Sequence, residues 1–182
     1  MTGDAVPRPA VFLDRDGTLI DDTGFLDDPH LVRLIPGAAS ALRDLEHAGY
    51  LRIVITNQSG IGRGRVTLAA FAAVQQEMER QLAAEGVSLD ATYWCPHAPE
   101  DGCLCRKPGT ALYREAIASW NIAVDTSWCI GDQLRDIEPA RELGCRSLLV
   151  RTGKGTEAVD RARDAGALVA DDLAAGIGAL SR

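Results

Sequence analysis

Six short apolar runs recur along this chain: AVFLD at 10–14, LRIVIT at 51–56, ATYWC at 91–95, SWCIG at 127–131, RSLLV at 146–150 and ALVA at 167–170. Amphipathic stretches separate or follow them. Pro36 suits a first helical turn, Ala38, Ala41, Leu42 and Leu45 share one face, and Gly49 supplies a stop. Thr67 can cap a helix that carries Leu68, Phe71, Val74, Met78 and Leu82 on one side and ends near Gly86. Further helical stretches are expected near 110–119, 134–143, 156–165 and 171–180. Apolar strands alternating with such helices imply a parallel sheet covered on both faces. The expected fold is α/β, with a Rossmann-like parallel sheet and helices on each side. The chain reads as one domain over 1–182, with 1–9 flexible.

In open sheets of this kind, ligands bind beyond the carboxyl ends of the strands. The irregular stretches 17–35, 57–66 and 95–109 are therefore where a site is expected. Composition narrows what it can bind. A formal net charge of −7 disfavours a broad basic surface for nucleic acid. Residues 1–9 lack the regions of a signal peptide and no apolar run approaches membrane-spanning length, so the chain is read as cytoplasmic. In that reducing setting the five cysteines suit metal ligation or core packing better than disulfides. Of the 19 basic side chains only two are lysines, Lys107 and Lys154. A lysine kept where arginine dominates suggests a place that needs a compact ammonium.

Four features fall at the strand ends. In DRDGT, Asp14 and Asp16 follow the first strand one residue apart. Their repulsion raises a pKa unless a cation lies between them, and Mg²⁺ is a hard ion that accepts such oxygens. A polar turn with Gly17 at the bend is the structural alternative. In ITNQSG, Thr56 ends the second strand and opens a polar loop able to hold an anion. CRKPG sets Arg106 and Lys107 ahead of Pro108. IGDQLRD ends the fourth run at Asp132, with Asp136 four residues on; helix capping is the plain reading and a further metal ligand the chemical one.

The stretch CPHAPEDGCLC adds Cys95, His97, Cys103 and Cys105. Three thiolates and an imidazole match a closed, structural zinc site with no position open for water. A disulfide or a chance cluster is the alternative. Zinc here would order the loop that delivers Arg106 and Lys107. Cys129 and Cys145 read as core residues. Two lookalikes fail: GIGRG has Arg65 where a dinucleotide-binding loop needs glycine, and TGKGT has Gly155 where a P-loop needs Ser or Thr.

The ordered set D-x-D-G-T, apolar-T-N, K and G-D-x-x-x-D resembles the four motifs of the haloacid dehalogenase superfamily of phosphotransferases, over roughly residues 10–152. The resemblance implies that Asp14 is the nucleophile and Asp16 the general acid and base. It implies that Thr56 and Lys107 hold phosphoryl oxygens, and that Mg²⁺ sits on Asp14, the Asp16 carbonyl and Asp132. The zinc cluster running into CRKP, with TNQSGIGRG, is similar to the branch containing heptose 1,7-bisphosphate 7-phosphatases and histidinol-phosphate phosphatases. That likeness implies carbohydrate metabolism and substrate contacts from Asp22, Thr23, Gly24, Phe25, Asn57, Gln58, Ser59 and Arg106. Gln133 departs from the basic residue often found there in the heptose enzymes. Arg63 or Arg65 is expected to join Arg106 at the rim.

The stretch from Asp16 to Pro36 is too short for a large cap domain, so the site should be open. The expected partner is a small phosphorylated metabolite, with a monomeric enzyme and neither nucleic acid nor membrane involved. The non-enzymatic alternative is a zinc-stabilised binding module with a relict site.

Overall fold

The computed structural model describes residues 6–180. Six strands form one sheet: β1 (Ala10–Leu13), β2 (Leu51–Asn57), β3 (Ala91–Cys95), β4 (Trp128–Gly131), β5 (Arg146–Val150) and β6 (Leu168–Ala170). Their order is β3-β2-β1-β4-β5-β6, and every neighbouring pair is parallel. The helices are α1 (Ala38–His47), α2 (Ser59–Gly62), α3 (Leu68–Ala84), α4 (Ala111–Trp120), α5 (Leu134–Ile137), α6 (Pro139–Leu143), α7 (Val159–Asp164) and α8 (Leu173–Leu180).

Strand periodicity sorts the core. Val11 and Leu13 of β1 face a cluster built from α1, α3 and α8, including Leu42, Met78 and Ile177. Ala10 and Phe12 face the opposite way, onto Leu112, Tyr113 and Ala116 of α4. The outer strand pair packs Leu149 against Ile137 and Ala162. With both faces covered, β1 and β4 are buried at every residue, which is why they read as continuous apolar runs.

Local signals explain the boundaries. Thr67 caps α3 by accepting a hydrogen bond from the Ala70 amide at 3.1 Å. Pro36 does not enter the first turn; α1 starts two residues later, at Ala38. The stretch expected as one helix over 134–143 divides into α5 and α6 at Pro139, which has no N–H to donate back to Arg135. The stretch 57–66 is less irregular than expected, since β2 runs to Asn57 and α2 occupies Ser59–Gly62. Of the expected flexible 1–9, residues 1–5 lie outside the described residues. Arg8 donates to Asn121 O at 3.2 Å, and Pro9 O accepts from the Leu51 amide at 2.9 Å.

Between β1 and α1 the chain makes a compact flap and no large cap. Gly17 N donates to Ile20 O at 2.7 Å, and Asp21 N to Arg33 O at 3.0 Å. No helix among the described residues is long and apolar enough to cross a membrane. Strand order reverses about β1, so the crevice beyond the ends of β1 and β4 is the favoured place for a ligand.

Candidate active site

Asp14 and Asp132 each follow directly on the last residue of a central strand, and the Asp14 amide donates to Ile130 O at 2.9 Å. This pairing holds the two strand ends side by side. One carboxylate oxygen from each of Asp14, Asp132 and Asp136 lies within 4.8 Å of the other two, and all three residues are buried. Two glycines make the approach possible. A Cβ on Gly17, whose φ is +87°, would lie 2.5 Å from Asp132 Oδ2. A Cβ on Gly131 would collide with the Asp136 side chain.

Crowding three acids in low dielectric disfavours their charged forms. Burial, followed by the charge of Asp14, pushes Asp132 up to about 7 and Asp136 up to about 6. Lys107 offsets part of this. Its Nζ lies 2.6 Å from Asp14 Oδ1 and 2.7 Å from Asp136 Oδ1, and it is only 2% exposed. Burial acts to lower the Lys107 pKa, but the Asp136 and Asp14 charges outweigh it and hold the ammonium protonated. Asp136 Oδ2 is taken by the Gln133 amide at 2.9 Å, and Asp132 Oδ2 by the Lys154 amide at 2.8 Å. Asp132 Oδ1 is buried and has no hydrogen-bond partner among the described residues.

Asp16 points into a separate network. It accepts from Arg15 Nη2 at 3.0 Å and Gln58 Nε2 at 2.9 Å, and Thr56 Oγ1 approaches to 3.5 Å. Burial raises its pKa; Arg15 opposes this and Asp14 adds to it. Arg15 is itself 1% exposed and packs 5.4 Å from the centre of the Phe71 ring. Spacing alone gave no reason to single out Arg15. The hydroxyl of Thr18 is buried without a hydrogen-bond partner among the described residues.

A cavity of about 320 Å³ opens over this cluster. Asp14, Asp16, Asp22, Gly24, Phe25, Asn57, Gln58, Ser59 and Arg106 line it; Thr23, expected with them, does not. Arg63 and Arg65 do not line it either. Arg63 reaches Glu100 at 3.4 Å, and the Arg65 guanidinium lies 4.9 Å from the centre of the Phe25 ring. Arg135, which sequence reading missed, and Lys154, which it noted without placing, line the cavity as well, together with Gln133. Lys154 Nζ pairs with Asp22 at 3.0 Å, and its presence as one of only two lysines was the available signal. Asn57 does more than line the wall. Its side chain accepts from the Lys107 amide at 3.0 Å and donates to Lys107 O at 3.2 Å, clamping the loop that carries the lysine. A larger groove of about 1110 Å³, beside α5 and α6, contains none of these acids.

The loop before Arg106 gathers the sulfur and imidazole ligands. Cys95 Sγ lies 3.6 Å from Cys103 Sγ and 3.2 Å from Cys105 Sγ, and His97 Nδ1 lies 3.6 Å and 3.2 Å from Cys95 and Cys105. Tetrahedral zinc with Zn–S near 2.3 Å sets its sulfurs about 3.7 Å apart, so four ligand atoms at this spacing fit one ion. Burial, with thiol neighbours, pushes Cys95 up to about 12, a cost that a bound cation removes.

A HAD-hydrolase-like family model matches residues 104–176. The D-glycero-beta-D-manno-heptose-1,7-bisphosphate 7-phosphatase of Pseudomonas aeruginosa is 36% identical over 174 residues, covering 95% of this chain and 98% of the relative. The enzyme of the same name from Haemophilus ducreyi is 40% identical over 159 residues, covering 83% and 87%. The crystal structure of the D,D-heptose 1,7-bisphosphate phosphatase of Bordetella bronchiseptica, complexed with magnesium and phosphate, superimposes with a TM-score of 0.88 at 35% identity, covering 95% of this chain and 98% of that one. With its four strand-end motifs in one crevice and relatives matching it nearly end to end, this chain belongs to the haloacid dehalogenase-like phosphatase family that contains these heptose bisphosphate phosphatases.

Proposed function

We propose that this chain hydrolyses a sugar phosphate monoester, removing the 7-phosphate of D-glycero-D-manno-heptose 1,7-bisphosphate. The observation that carries the substrate is the near end-to-end similarity to enzymes named for that reaction. The proposed enzyme is a monomeric, single-domain, cytoplasmic phosphatase acting on a small metabolite.

The residues divide the work as follows. Asp14, oriented by Lys107, attacks phosphorus through a carboxylate oxygen and forms an aspartyl phosphate. The bond from phosphorus to the substrate oxygen breaks, and Asp16 gives that oxygen its proton. The raised pKa of Asp16 suits an acid that must still be protonated when substrate arrives. Asp16 then takes a proton from water, whose oxygen attacks phosphorus, releasing phosphate and restoring Asp14. Thr56 and Lys107 receive the non-bridging oxygens, and Gln58 holds both Asp16 and Thr56, at 2.9 Å each. Asp22, Gly24, Phe25, Ser59 and Arg106 complete the substrate contacts, with Asn57 acting chiefly on the Lys107 loop.

The chain's donors fit Mg²⁺, because Asp132 Oδ1 is a buried, unpartnered oxygen in a cluster with the carboxylates of Asp14 and Asp136. Asp14, the Asp16 carbonyl and Asp132 would hold it, since both Asp136 oxygens already have partners. Bound there, Mg²⁺ neutralises the acids and the transferring phosphoryl group. Zn²⁺ on Cys95, His97, Cys103 and Cys105 would be structural and would fix the approach to Arg106 and Lys107.

Steady-state kcat/KM on heptose 1,7-bisphosphate and on histidinol phosphate, with the product identified by phosphorus NMR, tests this reading. The expected result is a strong preference for the bisphosphate with heptose 1-phosphate as product. Equal or faster turnover of histidinol phosphate would replace it.

A further inference from the structure

The carboxylates of the cavity already have partners. Asp14 has Lys107 at 2.6 Å, Asp16 has Arg15 at 3.0 Å, and Asp22 has Lys154 at 3.0 Å. Asp132 Oδ1, buried and unpartnered, belongs to the position assigned above to Mg²⁺ together with Asp14 and the Asp16 carbonyl. Two further cations line the same cavity, Arg106 from the loop after Cys105 and Arg135 from α5, and neither forms an ion pair among the described residues. Arg106 Nη1 and Arg135 Nε are both buried without a hydrogen-bond acceptor. Arg15 and Arg52 also leave one buried nitrogen without a hydrogen-bond partner, but each carries an ion pair, with Asp16 at 3.0 Å and with Asp90 at 3.0 Å, which Arg106 and Arg135 lack. A buried donor left unsatisfied is costly and rare, and two like charges brought together add repulsion. The two guanidiniums line one cavity within electrostatic reach of each other. Asp22 and Asp136 feel the Arg135 charge too, but both lie beyond ion-pairing reach of it.

We propose that Arg135 is a specificity-determining residue, which with Arg106 forms a guanidinium pair that receives a second phosphate of the substrate, remote from the one being cleaved. The inference builds on the phosphatase reading above. A phosphate dianion offers oxygen acceptors to both forks at once and cancels their repulsion, which a neutral sugar hydroxyl cannot do. Gln133 brings no charge to that wall, so Arg135, two residues further on, supplies it. Arg63 and Arg65, the nearer candidates in sequence, are engaged with Glu100 and Phe25.

The test compares kcat/KM on pairs of substrates that differ only in the second phosphate: heptose 1,7-bisphosphate against heptose 7-phosphate, and fructose 1,6-bisphosphate against fructose 6-phosphate. Wild type, Arg135→Gln and Arg135→Lys are measured at fixed ionic strength. The expected result is that wild type prefers the bisphosphate of a pair and that Arg135→Gln loses about tenfold or more on it, mainly through KM. Its loss on the monophosphate should stay within about threefold. Arg135→Lys keeps charge without the fork and should fall between; it also serves if the glutamine variant folds poorly. A preference confined to the fructose pair would overturn the heptose reading while upholding the subsite. Equal losses on both members of the heptose pair, or a loss in kcat alone, would overturn the subsite while leaving that reading standing. No bisphosphate preference by wild type on either pair would overturn both.

Discussion

The molecule holds two clusters of metal-ligating side chains, and they are built in opposite ways. Asp14 is more than a hundred residues from Asp132 and Asp136 in sequence, and the three meet because β1 and β4 are neighbours. The cluster of Cys95, His97, Cys103 and Cys105 lies within one loop, and of its four members only Cys95 belongs to a strand. The acids are therefore set by the sheet, and their site should persist when its ion is removed. The loop has one short 3₁₀ turn, Pro99–Asp101, and little core of its own, so its order should depend on its ion. The Asn57–Lys107 clamp is where the two regions meet.

The largest separation between them should come from Asp14→Asn. An amide is nearly isosteric but is no nucleophile, so turnover should fall by about a thousandfold or more, with zinc content and Tm near wild type. Loss of zinc in that variant would mean that the regions are not independent. Cys103→Ser should act in the other direction. It should release zinc, lower Tm, and reduce kcat/KM by roughly a hundredfold through misplacement of Arg106 and Lys107. Metal analysis beside the kinetics checks this, and full activity without zinc would remove the loop's assigned task.

Asn57→Ala probes the clamp itself. Two hydrogen bonds to the Lys107 backbone are lost, and kcat should drop by about tenfold while zinc stays bound. The smallest effect concerns pH. Burial and the Asp14 charge raise Asp132 and Asp136 from the ordinary carboxylate value of 3.8 to about 7 and about 6, so the metal-free folded state binds extra protons between those limits. Their contribution to stability is fully present below about pH 4, and is lost progressively as pH rises from there through about 6 to 7. In EDTA, the Tm of wild type should therefore decline with pH more steeply than that of Asp132→Asn, and excess Mg²⁺ should remove the difference. Parallel melting curves across that window would contradict the strain assigned to the acids.

How legible each region was follows from the same contrast. The thiol and imidazole spacing could be read directly because the ligands are local. Asp14, Asp16, Thr56 and Asp132 could be read because each ends an apolar run, and the parallel sheet brings such ends together. Arg135 and Lys154 could not, since they reach the cavity from a short helix and a turn whose directions no periodicity gives. Closeness in sequence misled for Arg63 and Arg65: they follow TNQSG directly, yet α2 and the turn after it carry them to Glu100 and Phe25. Asn57 could be expected in the site, but its bond to the Lys107 backbone, 50 residues away, exists only once the chain is folded. The break at Pro139 was in principle visible, because a proline inside a helical pattern removes a backbone donor.

The strand-end acids and the cysteine loop are expected to hold different ions for different purposes. Elemental analysis of protein purified without added zinc, followed by EDTA treatment and stepwise return of Mg²⁺, tests it in one series. The account predicts about one zinc per chain that survives brief chelation, phosphatase activity that disappears, and full recovery on Mg²⁺ alone. Activity that returns only with Zn²⁺, or a zinc-free protein with unchanged Tm and turnover, would contradict it.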